Sequence, residues 1–312
     1  HLIFLYKFYY FYLITNNQNK MKKLIYLFLA LIIVACSSDD SSSDDNGNND
    51  QSSSCNGENP IYLADNGVTI KAYECAEVGD TGVVNGVTYT VVDEEMLWTM
   101  VTNEEDVTKV ATTKVTFMRS MFSGASNFNQ PIGNWDVSSA TDMTFMFSST
   151  NFNQDISNWD VSNVTEMRRM FWRTPFNQPI DNWDVSNVTN MGGLFLETNF
   201  NQDISNWDVS NVTNMSDMFW LTSFNQDISS WNVSNVIYFN LMFYRASGFN
   251  QDISSWNVSN VTSMEQMFQY AYSFNQDLSS WSVDGVTDCI LFSDNSPLTE
   301  ANTPNFTNCN PN

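Results

Sequence analysis

Seven nearly identical segments follow one another between residues 128 and 283, and each carries one tryptophan. The tryptophans are Trp135, Trp159, Trp183, Trp207, Trp231, Trp256 and Trp281. The period is therefore 24 residues, with two steps of 25. Periods of this length are typical of stacked-repeat proteins, in which each repeat packs on its two neighbours. The repetition predicts a solenoid before any local structure is considered.

One full unit reads FNQDISNWDVSNVTNMSDMF, from Phe200 to Phe219. Trp207 and Val209 alternate with polar residues, which predicts a short strand with both side chains inward. The apolar residues that follow recur at helical spacing, at Val212, Met215, Met218 and Phe219. Asn211 or Thr213 can cap this segment. Each unit is thus predicted to be a short strand plus a short helix.

The helical half occurs eight times between residues 115 and 292. We therefore expect an α/β repeat fold of about eight coils, each of 24 or 25 residues. An asparagine column is expected to link the coils through side-chain amides. Its members are Asn129, Asn153, Asn177, Asn201, Asn225, Asn250 and Asn275.

The segment from Met21 has the charged, apolar and small-residue order of a secretory signal. It resembles a bacterial lipobox, which predicts a signal peptide over residues 21–35 and an acylated Cys36 as the mature N-terminus. Residues 1–20 are interpreted as upstream translation. The alternative is a second hydrophobic segment, Leu2 to Ile14, in an uncleaved anchor.

Residues 36–55 are rich in Ser, Asp and Asn and predict a flexible acidic tether after the lipid. Acidic residues this close to the lipobox resemble the export signal of surface lipoproteins of Bacteroidetes-type bacteria. We therefore expect an outer membrane lipoprotein exposed on the cell surface and attached to the membrane by its lipid alone. The alternative is an ordinary spacer.

The charge of the mature chain limits its partners. From Cys36 onward, 8 basic and 35 acidic residues give a net charge of −27. Such a surface repels nucleic acid and favours cations, basic proteins or neutral ligands. A nucleic-acid partner is therefore excluded.

Four cysteines remain, and they form two pairs with a separation of 20 residues in each. Cys55 and Cys75 precede the repeats, and Cys289 and Cys309 follow them. In an oxidising compartment each pair is a candidate disulfide that closes one end of the repeats. Cys289 occupies a position held elsewhere by methionine, so a simple core role is the alternative.

Residues 56–114 predict a small β-rich N-terminal cap. Asn66-Gly67 and Asn85-Gly86 lie between Val- and Thr-rich runs, as in hairpins. Asp93 precedes two glutamates and an amphipathic run, which predicts one short helix. Residues 293–312 are expected to be a C-terminal cap or tail.

Residues 115–292 resemble the repeats of the BspA-like leucine-rich-repeat surface proteins of bacteria. The resemblance rests on the unit FNQDISNWDVSNVTNMSDMF, and residues 66–110 are similar to the N-terminal region of such proteins. It implies a right-handed leucine-rich-repeat-like solenoid, surface display and, for some members, adhesion. It implies no enzyme activity.

Two columns depart from what stacking requires. The first holds Asp136, Asp160, Asp184 and Asp208. Like charges on adjacent strands cost stability, so a weak calcium site is one interpretation. The other is an aspartate that bonds its own backbone at a strand end. No other cofactor is expected.

The second column follows each Met-Phe pair and does not repeat. It holds Trp172, Leu196, Trp220 and Tyr244, with a basic cluster nearby that comprises Arg168, Arg169 and Arg173. Aromatic residues at variable surface positions predict a contact stripe for a protein or glycan. Sequence drift on a tolerant outer face is the alternative.

No catalytic group stands out, because nearly every polar residue belongs to a repeating column and no histidine follows His1. We therefore expect a non-enzymatic, lipid-anchored binding or adhesion module for protein, cell or glycan partners. The alternative is a structural spacer or surface-layer component without a specific ligand, which cations would stabilise.

Overall fold

The structure is a computed structural model that describes Cys55 and residues 57–311. The interpretations of residues 1–20, the signal peptide, Cys36 and most of the tether lie outside the described residues and stay predictions. In the described part of the chain, no helix is long and apolar enough to cross a membrane.

Regular secondary structure is concentrated before the repeats. The strands are β1 (Ile61–Leu63), β2 (Ile70–Ala72), β3 (Thr81–Val84), β4 (Val87–Val91) and β5 (Val110–Ala111). The helix α1 spans Glu94–Thr102, and a 3-10 helix spans Glu300–Asn302.

The strands form two small sheets. β1 and β2 pair antiparallel, β3 and β4 form a second antiparallel hairpin, and β5 adds to β4 in parallel. The turn between β3 and β4 has positive φ at both Asn85 (51°) and Gly86 (80°). Two such residues in succession form a hairpin turn whose twist matches that of the strands, so the Asn-Gly pattern correctly located this hairpin.

Helix α1 begins where the sequence predicted it. The Asp93 carboxylate accepts a hydrogen bond from the Met96 backbone N–H at 2.9 Å, which satisfies one free donor of the first turn. Leu97 is fully buried against the first repeat, whereas Trp98 lies half exposed on the other side.

The fold class expected from the sequence, an α/β leucine-rich-repeat-like solenoid, is wrong. The described residues contain one α-helix, α1, and it precedes the repeats. Each repeat is instead a succession of turns that contributes a single bridge residue to its neighbours.

Backbone hydrogen bonding explains why the Met-containing segments are not helices. In the second unit, the N–H groups of Met143, Phe145, Phe147 and Ser149 donate to carbonyls of the following repeat, at 2.8–3.0 Å. The intervening Met146, Ser148 and Thr150 donate three residues back within their own repeat. An α-helix needs every N–H for its own i−4 carbonyl, so this alternation excludes one.

Left-handed backbone conformations reinforce the alternation. Two positions in each of the eight units, four residues apart, have positive φ. They are Ser120 and Gly124, Phe145 and Ser149, Arg169 and Arg173, Gly193 and Glu197, Asp217 and Leu221, Leu241 and Arg245, Gln266 and Tyr270, and Leu291 and Asn295. A left-handed residue cannot continue a right-handed helix, so each segment is a chain of turns.

The predicted strand at Trp207 and Val209 is also absent, although both side chains are buried as expected. Parallel bridges occur instead at the residue before the first methionine of each unit, a position that Phe239 and Cys289 take in two of the units. They join Phe117, Asp142, Glu166, Asn190, Asn214, Tyr238, Ser263 and Asp288 in that order. The repeats therefore stack in register with one bridge residue each.

The buried side chains are those that the repeat pattern predicted, and this part of the prediction is confirmed. Tryptophan, valine, methionine and phenylalanine from every repeat belong to one continuous apolar cluster. Phenylalanines form two parallel columns within it. Phe195, for example, lies 3.9 Å from Phe200 and 5.9 Å from Phe219 between ring centroids.

Polar ladders connect the repeats along the same direction. The side-chain oxygen of Asn177 accepts from the Asn201 backbone N–H at 2.9 Å and from the Gln202 amide at 3.1 Å. Buried indoles form a second ladder, in which Trp207 Nε1 donates to the Ile180 carbonyl at 3.0 Å. The asparagine column thus links repeats through the backbone N–H of the next asparagine and the side-chain amide of the glutamine after it, rather than through bonds between asparagine side chains.

Disulfides lie at both ends of the repeats. Cys55 is bonded to Cys75, and Cys289 to Cys309. Cys289 is also completely buried in the main cluster, so its disulfide and core interpretations both hold. The segment after residue 292 returns to the last repeat, where Leu278 N–H donates to the Asn302 carbonyl at 2.9 Å.

Candidate functional site: the turn face

The outward side chains of the Met-containing segments form a surface that we call the turn face. It comprises the two residues after the first methionine of each unit, or after Phe239 or Cys289 in its place, and the two residues after the Met-Phe or Leu-Phe pair. The backbone hydrogen bonds between repeats recur at these positions whatever the side chain is, so their residue types can vary from repeat to repeat. A surface of this kind can change without loss of the fold.

All arginines of the protein lie on the turn face. They are Arg119, Arg168, Arg169, Arg173 and Arg245. Two of them, Arg173 and Arg245, occupy left-handed positions that follow a Met-Phe pair. The cations of the repeats are therefore gathered on one surface of an otherwise acidic chain.

The predicted basic cluster surrounds Trp172 and is closed by carboxylates. The guanidinium carbons of Arg169 and Arg173 lie 5.3 and 5.0 Å from the Trp172 ring centroid. Arg173 also forms a 2.8 Å ion pair with Glu197. The Trp172 indole N–H points to the same carboxylate at 3.4 Å. The polar groups around Trp172 in the predicted stripe thus mainly contact one another.

Arg169 reaches Asp217, which lies two repeats further along, at 3.3 Å. The intervening repeat carries Gly193, and a Cβ there would lie 2.7 Å from Arg169 Cγ. The missing side chain therefore lets Arg169 cross this repeat. Burial raises the pKa of Asp217, and the nearby Arg169 opposes that shift only in part.

Leu196 does not contribute to a surface stripe, because only 3% of it is exposed. The sequence prediction that included Leu196 in the contact stripe is therefore wrong.

A second cluster lies on the following repeats, and we call it the aromatic patch. It consists of Trp220, Leu221, Tyr244, Arg245, Tyr270 and Tyr272. The Trp220 and Tyr244 ring centroids lie 5.1 Å apart, and those of Tyr244 and Tyr270 lie 5.7 Å apart. Tyr272 extends the run at 6.2 Å from Tyr270 and is 62% exposed.

Arg245 lies between two rings of the aromatic patch. Its guanidinium carbon is 5.4 Å from the Tyr244 centroid and 5.1 Å from the Tyr270 centroid. None of the ion pairs among residues 57–311 includes Arg245. The patch therefore combines aromatic rings with an arginine that forms no ion pair within the described residues.

The predicted aspartate column is built from turns that bond their own backbone. Asp160 and Asp208 each accept a hydrogen bond from the backbone N–H two residues later, at 3.1 and 3.0 Å. The bonds from Ser210 lower the pKa of Asp208. Asp184 makes the same backbone contact at 3.0 Å. These contacts support the turn interpretation of the column.

Asp136 differs from the rest of its column because it is buried beside β2. Its carboxylate lies 3.5 Å from the Lys71 ammonium group and accepts a 2.6 Å hydrogen bond from the Ser138 hydroxyl. In the described residues, no group of three or more His, Cys, Asp or Glu side chains is placed to hold a metal ion.

Residues 94–199 and 194–305 match the model of one family, described as a Mycoplasma protein of unknown function, DUF285. The chain belongs to the DUF285 family. No curated protein and no solved structure matches it. The resemblance of this DUF285 protein to the BspA-like leucine-rich-repeat proteins stays a prediction.

The DUF285 match includes the whole aromatic patch, of which the sequence had indicated only Trp220 and Tyr244. Leu221, Arg245 and Tyr270 were missed because they occupy the second position after each Met-Phe pair. Tyr272 was missed because it lies in a connection lengthened by one residue. Variation between repeats could have indicated both positions from the sequence, since neither holds one residue type throughout the repeats.

Proposed function

We propose that this chain is a non-enzymatic binding module, displayed at the cell surface by a lipid on Cys36, and that the turn face recognises its partner. The observation that carries the proposal is the aromatic patch. Large rings occupy outward positions of consecutive repeats, where stacking makes no demand on the side chain. Exposed clusters of Trp, Tyr and Arg are typical of recognition surfaces.

Adhesion is the role that these features favour. A long tether after a lipid would hold the repeats away from the membrane, and the turn face would present its rings to a protein, another cell or a glycan. The net charge of −27 from Cys36 onward opposes binding to nucleic acid. The proposed attachment to the membrane is through the lipid alone.

A structural spacer is the second candidate, and the cluster around Trp172 favours it. There, Arg169 and Arg173 pack on the Trp172 ring and Arg173 pairs with Glu197, as they would on a surface that only stiffens the stack. A spacer has no need of the aromatic patch, however, and the patch is why binding is the preferred proposal.

The test compares residues 54–312 of the wild-type chain with a Trp220→Ser/Tyr244→Ser variant on arrays of extracellular proteins and glycans. Wild type should retain at least one partner that the variant loses. The control is Trp98→Ser, which removes a half-exposed indole from α1. A wild-type chain that retains nothing specifically would refute the binding role and leave the spacer.

A further inference from the structure

The aromatic patch runs along the stacking direction. Trp220, Tyr244 and Tyr270 come from three consecutive repeats, and their ring centroids follow one another at 5.1 and 5.7 Å. Successive sugar rings of an extended polysaccharide have a similar spacing. Stacked repeats therefore present rings at a period that a linear glycan can match over several residues.

The chemistry of the patch suits sugar rings. One face of many sugar rings is made of C–H groups that pack on aromatic rings, while the hydroxyl groups require hydrogen-bond partners. Arg245 lies between Tyr244 and Tyr270 and offers guanidinium donors beside both rings. The tyrosine hydroxyls add groups that both donate and accept.

The angles between the rings indicate what form of polysaccharide fits. The ring planes of Trp220 and Tyr244 make an angle of 69°, those of Tyr244 and Tyr270 make 89°, and those of Tyr270 and Tyr272 make 61°. Rings so tilted cannot form a flat platform. They fit one twisted chain, whose sugar rings also turn along its length, better than a crystalline surface.

Charge narrows the ligand further. The repeats that carry the patch also carry exposed Asp227, Asp252 and Asp277, and the chain from Cys36 has a net charge of −27. The single positive charge of Arg245 does not offset the repulsion between this negative surface and a polyanionic ligand. Resting on the binding function proposed above, we infer that the aromatic patch binds a neutral linear polysaccharide as a single chain along the stacking direction.

The experiment is native affinity electrophoresis of the full chain in mild detergent. The gels contain hydroxyethylcellulose, galactomannan, a soluble β-1,3-glucan or polygalacturonate. At least one neutral polymer should retard the wild-type chain, with no change when salt is raised. The affinity calculated from the retardation should fall by ~10-fold or more in Tyr244→Ser/Tyr272→Ser, which corresponds to a loss of about 1.4 kcal/mol in binding free energy. Trp98→Ser should behave as wild type.

Tyr272→Ser alone guards against a folding defect, because this side chain is largely exposed. It should weaken retardation while leaving the thermal melting curve unchanged. Retardation by none of the neutral polymers, equal retardation of the double variant, or tighter binding of polygalacturonate would each overturn the inference. Capture of a protein through the same residues, without retardation, would overturn the polysaccharide ligand and leave the binding function. If the wild-type chain binds nothing on the arrays and is retarded in none of the gels, both the binding function and the polysaccharide ligand are refuted.

Discussion

Replacing Asn177 with alanine measures how much one step of the asparagine ladder contributes to stability. Its side-chain oxygen accepts from the Asn201 backbone N–H at 2.9 Å and from the Gln202 amide at 3.1 Å, both at partly buried sites. Leaving such a donor without its partner costs about 1–3 kcal/mol. Because water can reach part of this site, we expect a loss of about 2 kcal/mol.

The assay is urea unfolding followed by circular dichroism, supported by thermal melting. A loss of about 2 kcal/mol corresponds to a melting temperature lower by about 4–8 °C for a domain of this size.

The matched control is Asn275→Ala, at the last position of the ladder. In the described residues no hydrogen bond reaches the Asn275 side-chain oxygen. Its replacement should change stability by less than about 0.5 kcal/mol. Equal effects of the two replacements, or a neutral Asn177→Ala, would refute the ladder as a source of stability.

Three further predictions concern the buried groups. Trp207→Phe removes the donor to the Ile180 carbonyl and should lower the unfolding free energy by about 1–3 kcal/mol in urea; a neutral result would contradict that role of the indole. Cys309→Ser opens the bond to Cys289 and should cost about 3 kcal/mol, and a reductant should then have less effect on melting than in wild type. Burial raises the pKa of Asp217. A carboxyl whose pKa is higher in the folded chain than in the unfolded chain stabilises the fold at pH values below the unfolded-state pKa. This stabilisation is lost as the pH rises through the folded-state pKa. Wild type should therefore lose stability relative to Asp217→Asn as pH increases from below 3.8 toward neutrality, and parallel curves would contradict this.

The sequence predicted which side chains are buried but not the backbone that buries them. Val212, Met215 and Met218 have a spacing that fits one face of a helix, and all three are buried. The observed chain of turns buries the residues that a helix would bury. Their spacing in the sequence therefore could not distinguish the two backbones.

The left-handed positions explain why the helix prediction failed. Phe145, Arg169 and Leu241 occupy the same column and all have positive φ, yet none of these residue types favours a left-handed conformation. Gly124, Gly193, Asp217 and Asn295 are the members of these positions whose residue types favour it. The stack imposes the conformation because alternate N–H groups bond to the next repeat, and that requirement is tertiary.

The candidate site was predicted in part for a similar reason. Tryptophan and tyrosine at variable positions marked Trp220 and Tyr244 from the sequence alone. The pairing of Arg169 with Asp217 spans 48 residues and depends on Gly193 between them. No local pattern records such a contact, so the division of the stripe into a closed cluster and an exposed patch required the structure.

In-register stacking of the repeats is the central claim, and engineered disulfides test it most directly. Asn190 and Asn214 are parallel bridge partners in adjacent repeats, so their Cα atoms lie about 4.8 Å apart, within the range that a disulfide spans. Asn190 and Tyr238 are two repeats apart, at roughly 10 Å. Peptide mapping by mass spectrometry should find a bond in Asn190→Cys/Asn214→Cys and none in Asn190→Cys/Tyr238→Cys. No bond in the first variant, or a bond only in the second, would contradict the stacking.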